Sequence, residues 1–263
     1  MSFTQIPETI AETEPLGEEV TFPPNDLWSD EPPLESDWHR EQIELLLACL
    51  SWYWREGGTC PRDNYYASGN LTIYYSEDKI TTRDFRGPDF FVVLGRENRP
   101  RRSWMLWAEE GKYPNVIIEL LSNSTAVVDR GAKKALYQDT FRTPEYFWFH
   151  PETMEFQGFH LMAGEYQTIA PTPEGWLWSQ QLQLFLGIAN SKLRFFTPER
   201  QLVSSPKEIA AQATQELEQA TQQLEQATQE LEQEKQQREL AQQQVEDLRT
   251  RLRELGVDPD GVS

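Results

Sequence analysis

Three side chains in this sequence have the types and the placing that hydrolytic chemistry needs: Asp89, Glu119 and Lys133. Asp89 follows Pro88 at the entry to an apolar run, Phe90-Phe91-Val92-Val93-Leu94, and Glu119 lies inside a second, Val116-Ile117-Ile118-Glu119-Leu120-Leu121. A carboxylate within a buried apolar strand is costly unless a partner compensates its charge. A divalent cation is such a partner. Two carboxylates and a strand carbonyl, that of Leu120, completed by water, match the hard oxygen ligands that Mg²⁺ prefers, and Mn²⁺ would be accepted too. Lys133 then has the chemistry to orient or deprotonate the attacking water and to offset charge on a scissile phosphate.

Taken singly, each residue has a plainer explanation. Pro-Asp pairs open turns, a Glu at a strand end can face solvent, and Lys133 can pair with Asp129 one helical turn away. Their order is what adds meaning: a strand-borne Asp, a strand-borne Glu, a polar turn, then a Lys on the following helix.

The elements that must position these groups are legible as periodicity. From residues 38 to 55, Ile43, Leu46, Leu47, Leu50 and Tyr53 recur at helical spacing until Gly57-Gly58. Residues 71–75, 90–94 and 116–121 read as strands, the last two buried. Residues 127–139 read as a helix with capping oxygens at Ser124, Thr125 and Asp129, and residues 146–149 as a further strand ended by His150-Pro151. Short strands with turns at Gly158, Ala163-Gly164 and Pro173-Glu174-Gly175 follow as far as Phe196. The expected fold class is α/β, a mixed sheet flanked by helices, with a long helix at the C-terminal end.

Four segments of this pattern resemble the Uma family of restriction endonucleases, a group within the PD-(D/E)xK nuclease superfamily that is widespread in cyanobacteria. They are GPDFFVVLG from Gly87, PNVIIELLSNST from Pro114, DRGAKKALY from Asp129 and TPEYFWFHPE from Thr143. The resemblance spans residues 38–195 and implies a restriction-endonuclease-like core acting on nucleic acid, DNA first among candidates. It implies Asp89 and Glu119 as metal ligands and Lys133 as the catalytic lysine. The superfamily's lysine stands two residues after the strand acid, where this chain has Leu121, so the resemblance places the amine on the helix. Lys134 is the neighbouring candidate, but successive helical residues point about 100° apart, and Lys133 shares a face with Asp129 and Tyr137. Glu44 on the first helix is a further acid that the superfamily's pattern admits.

Composition divides the chain. Residues 1–37 hold ten acids, no Lys or Arg and several prolines, and are expected to be a disordered acidic arm. Residues 206–255 carry eleven acids and six bases among Gln, Glu, Ala and Leu, as a coiled coil does, and residues 256–263 form a flexible tail. Of the net charge of −19, these regions leave −2 on residues 38–205, so the expected catalytic domain is nearly neutral. That balance argues neither for nor against phosphate contacts, which need local Lys and Arg. Arg96, Arg99, Arg101 and Arg102 form the basic cluster of the middle region, expected as a solvated loop.

Cys49 and Cys60 cannot build a disulfide framework and show no metal-ligand spacing with His39, His150 or His160. The opening residues lack a signal-peptide pattern and no run approaches the ~20 apolar residues of a bilayer span, so a cytoplasmic protein with no membrane association is expected.

The one internal repeat is ATQELEQ, ATQQLEQ, ATQELEQ over residues 213–233. Leu217, Leu224 and Leu231 alternate with Ala213, Ala220 and Ala227, and the register continues through Glu234, Arg238, Ala241, Val245, Leu248, Leu252 and Leu255. So narrow an apolar stripe implies a partner helix, most simply a second copy of the chain, hence a homodimer. Against the nuclease stands a different class of function, a non-catalytic interaction protein that displays this rod on a nuclease fold.

Overall fold

The computed structural model describes residues 27–29, 36–56, 61–75, 87–122, 129–256 and 261 of the chain. It divides into two compact units, Met1–Val203 and Ser204–Ser263. Most of the expected acidic arm lies outside the described residues. Residues 27–29 are docked: Ser29 N–H donates to the Arg102 carbonyl at 2.9 Å, Ser103 Oγ to the Leu27 carbonyl at 2.7 Å, and Tyr74 Oη to the Trp28 carbonyl at 2.8 Å.

The first helix, α1 (Asp37–Ser51), starts where Ser36 caps it by accepting from His39 N–H. Its buried positions His39, Gln42, Ile43, Leu46, Cys49 and Leu50 recur three and four residues apart and so line one face. A π-helical turn, Trp52–Glu56, extends it.

Six strands form the main sheet: β1 (Tyr65–Ser68), β3 (Phe90–Leu94), β5 (Val116–Leu120), β6 (Glu145–Phe149), β7 (Phe156–Met162) and β8 (Glu165–Thr168), in that spatial order. All neighbouring pairs are antiparallel except β5 and β6, which run parallel with Glu119 beside Trp148. A parallel pair needs a crossover, and the helical segment α2 supplies it. This segment consists of two π-helical stretches, Asp129–Lys133 and Leu136–Thr140, joined through Lys134 and Ala135. The two-residue strands β2 (Ile73–Tyr74) and β4 (Trp104–Met105) pair in parallel, and β9 (Leu177–Ser179), β10 (Leu184–Ala189) and β11 (Lys192–Phe196) form a separate antiparallel sheet. The expected mixed α/β architecture is therefore what the chain adopts.

Alternation along the central strands puts a core on each side. Phe90, Val92, Val116, Ile118, Leu120, Phe147 and Phe149 pack with α1 and the three-stranded sheet. Phe91, Val93, Ile117, Leu121, Tyr146 and Trp148 pack with Tyr137 and Phe141. Two polar side chains tie the first side together. The Gln42 amide donates to the Leu193 carbonyl at 2.9 Å and accepts from its N–H at 3.0 Å, serving the open edge of β11 as another strand would. Glu145, buried at the start of β6, accepts from Ser179 Oγ and from the backbone N–H groups of Gln180 and Gln181.

Three readings differ from expectation. Gly158, expected at a turn, lies inside β7, because a Cβ there would stand 2.5 Å from the Phe147 ring, so only glycine lets the strand approach. Strand β1 was not expected: Tyr65-Tyr66-Ala67-Ser68 lacks alternation, and its pairing with β3 makes it a strand. Arg101 is not solvated. Its guanidinium lies over Tyr66 and Trp104 at 4.4 and 4.9 Å and donates twice to the buried Glu109 carboxylate.

The second unit holds the 49-residue helix α3 (Pro206–Glu254), opened by a capping box between Ser205 and Glu208 and ended by a turn at Leu255 and Gly256. Its seam side chains are exposed. Among the described residues, no helix is long and apolar enough to cross a membrane.

Candidate active site

The site is built on the two central strands. Asp89 sits immediately before β3, where its backbone carbonyl accepts from Asn70 N–H at 3.1 Å. Gly69 makes that approach feasible, since a Cβ there would stand 2.6 Å from the same carbonyl and 2.3 Å from Ile43. With its backbone so fixed, Asp89 extends a carboxylate that accepts from Leu120 N–H at 2.8 Å. The contact bridges the end of β5 to the start of β3.

Glu119 is fully buried, and by strand alternation it shares the Ile117 and Leu121 side of β5, which faces α2. Two groups from α2 meet its carboxylate: Lys133 Nζ lies 2.9 Å from Oε2, and Tyr137 Oη donates to Oε1 at 2.7 Å. Asp89 is in hydrogen-bonding reach of it too. Burial pushes the Glu119 carboxyl up to about 7; Lys133 and Tyr137 pull it down, and the like charge of Asp89 raises it. Burial thus favours the protonated form of Glu119, and a positive charge beside it favours the ionised one.

Asp89, Glu119 and Lys133 accordingly come together, from a strand entry, a strand and a helix. Lys134 does not join them, for its ammonium lies 3.7 Å from the centroid of the Phe159 ring. Glu44 is also elsewhere: it is exposed and paired with Arg40 on its own helix.

Two residues that sequence reasoning did not place at the site are there. Tyr137 was noted only for sharing a face with Lys133, four residues earlier; that spacing was the signal. His39 gave no signal beyond its position on α1. Its Nε2 lies 3.1 Å from the Leu120 carbonyl, and because a carbonyl can only accept, Nε2 carries the proton. Ser36 Oγ stands 2.9 Å from the other ring nitrogen and fixes the ring plane. Beside Ser36 and His39 opens a cleft of about 420 Å³, lined also by Trp38, Leu121, Ser122, His150 and Glu152.

The donor set suits a hard divalent cation. The half-buried Asp89 and the buried Glu119 carboxylates converge, and the Leu120 carbonyl keeps a second lone pair beyond the one that faces His39. Among the described residues, no group of three or more His, Cys, Asp or Glu side chains could hold a metal, so water or substrate oxygens would have to complete the shell.

The chain matches the model of the Uma2 family, described as "Putative restriction endonuclease", over residues 8–191. It belongs to the Uma2 family. The Uma2 match begins well before α1, within the acid-rich segment, and ends in the turn between β10 and β11. A crystal structure of a "putative nuclease belonging to DUF820 from Anabaena variabilis ATCC 29413" is similar at 13% identity and a TM-score of 0.38, over 58% of this chain and 76% of that one. No curated protein matches this Uma2 chain.

Proposed function

We propose that this Uma2 protein is a Mg²⁺-dependent endonuclease that hydrolyses phosphodiester bonds of DNA. The observation that carries the reading is the meeting of Asp89, Glu119 and Lys133 at the joined ends of β3 and β5. Asp89, Glu119 and the Leu120 carbonyl would hold the cation, with Mn²⁺ as a substitute. When bound, such an ion supplies Lewis acidity toward the phosphate and lowers the pKa of its water.

The remaining work belongs to the chain's own groups. Lys133, whose Nζ lies 2.9 Å from Glu119 Oε2, would hold a positive charge where negative charge grows on the phosphate and would donate to the attacking water or a non-bridging oxygen. Tyr137 fixes the rotamer of Glu119 by donating to Oε1. His39 holds the Leu120 carbonyl from the opposite side of the sheet. No covalent intermediate on the protein is required, since water is the nucleophile.

A plasmid-nicking assay with Mg²⁺ or Mn²⁺ tests the reading. Wild type should convert supercoiled to open-circular DNA, and Asp89→Ala and Lys133→Ala should each lower the rate at least ~100-fold, as expected for loss of a principal electrostatic group. Nicking that survives both substitutions, or a wild type that neither cuts DNA nor binds either ion by calorimetry, overturns it. Cutting of RNA with DNA left intact would overturn the choice of substrate alone.

A further inference from the structure

We propose that α3 pairs with the α3 of a second copy of this chain in antiparallel orientation, in a register centred on Gln236. This goes beyond the hydrolytic reading and does not depend on it.

The helix cannot be accounted for by its own contacts. No residue of α3 is buried over 49 residues, and Leu217, Leu224 and Leu231 are 68%, 69% and 53% exposed. Val245, Leu248, Leu252 and Leu255 continue the stripe, also exposed. An isolated helix draws little stability from propensity alone, so a stripe of this length implies a packing partner.

The order of large, small and charged residues along the stripe selects the orientation. In a parallel, in-register pair every seam residue faces its own copy. Ala213, Ala220, Ala227 and Ala241 would then meet alanine, leaving four thin layers, while Glu234 would face Glu234 and Arg238 would face Arg238. Like charges facing each other at a seam are unfavourable.

Reversing one helix about Gln236 removes every conflict. Leu217 then faces Leu255 of the second copy, Ala220 faces Leu252, Leu224 faces Leu248, Ala227 faces Val245 and Leu231 faces Ala241. Ala220, Ala227 and Ala241 each meet a larger side chain, and Ala213 falls past the end of the partner helix. Glu234 meets Arg238, and the exchange occurs twice, once on each side of the dyad. In the single helix these two residues pair with each other at 2.8 Å in solvent, so both side chains already extend along the seam. Sliding the antiparallel pair by one heptad either way sets Glu234 and Arg238 against apolar residues, so the charges specify this register alone among the three.

Long-range charge agrees. Residues 206–230 carry five acids and one lysine, whereas residues 241–255 carry three acids and three arginines. A parallel pair stacks a net −4 on a net −4; the antiparallel pair lays each acidic half along the neutral, arginine-bearing half of its partner. At about 1.5 Å per residue, the two Pro206 ends would be about 90 Å apart along the axis, whereas a parallel pair sets them side by side.

The test uses the full chain with Ala227→Cys and Val245→Cys together, oxidised and digested with trypsin. The two positions fall in different tryptic peptides, and on one straight helix they are too far apart to join. Mass spectrometry should find the 227 peptide disulfide-linked to the 245 peptide, in a particle that light scattering measures at twice the 30.7 kDa chain mass. Links of 227 to 227 and 245 to 245 would establish the parallel pair and overturn the proposal. A wild-type chain that scatters as a monomer at micromolar concentration would overturn it as well. Both substitutions lie on an exposed helix, and light scattering of the wild type does not depend on them.

Discussion

Nε2 of His39, on the first helix, donates across the end of the sheet to the carbonyl oxygen of Leu120, the residue that follows Glu119. One face of the domain thereby grips the backbone of the strand whose side chains serve the other face. Removing the ring frees the carbonyl and the strand end. His39→Ala should weaken Mn²⁺ binding ~10-fold, the lower end for loss of a group that orients a ligand. Stability should fall by about 1–3 kcal/mol. Calorimetric Kd and denaturant titration measure the two separately, and an unchanged Kd beside lowered stability would reduce His39 to a packing residue.

Glu119 predicts a pH dependence. Its folded pKa is raised from the usual 4.5 to about 7, so the folded state favours its protonated form. The contribution to stability is full below about 4.5 and is lost as pH rises through 7. The difference amounts to about 3 kcal/mol, at 1.36 kcal/mol per pKa unit. Metal-free protein should lose stability over that window, and Glu119→Gln should flatten the profile. A wild-type profile that matches the variant's would show that the carboxylate is ionised throughout.

The same proton should reappear when metal binds. At pH 6, ligation of Mn²⁺ by the proposed site would displace the proton that burial favours on Glu119, releasing roughly one proton per ion. Binding enthalpies measured in buffers of different ionisation heat would report it as a slope. A slope of zero would place the ion elsewhere or show the pair already ionised.

Gln42 supports a prediction about stability alone. Its amide meets both backbone groups of Leu193, and Gln42→Ala would strand them in a buried setting. The expected cost is about 2–6 kcal/mol, from two buried polar groups at about 1–3 each. The urea midpoint should fall with no change in m-value. A loss below half a kcal/mol would mean that water replaces the amide.

What could be read before the fold was known depended on locality. The strands β3 and β5 were legible because buried central strands are continuous apolar runs, and Glu119 was conspicuous against that background. The helical position of Lys133 was legible from DRGAKKALY. Strand β1 was not, since its identity comes from pairing with β3, a relation that its own residues do not carry. Gly158 misled for the opposite reason: glycine signals a turn locally, and only the Phe147 ring across the strand explains it. The role of His39 rests on a contact spanning 81 positions, and that of Arg101 on Tyr66, Trp104 and Glu109 gathered from separate segments. No local pattern encodes either.

The amide bridge between Gln42 and Leu193 bears on when the molecule becomes competent during its own synthesis. Helix α1 emerges from the ribosome first, and its anchor is among the last residues of the domain to follow. Until β11 arrives, α1 lacks this clasp, and with it the firm seat that aims His39 at Leu120. A nascent chain would thus carry both acids well before this clasp could form, and the chemistry proposed for them would wait until the last strand of the domain is made.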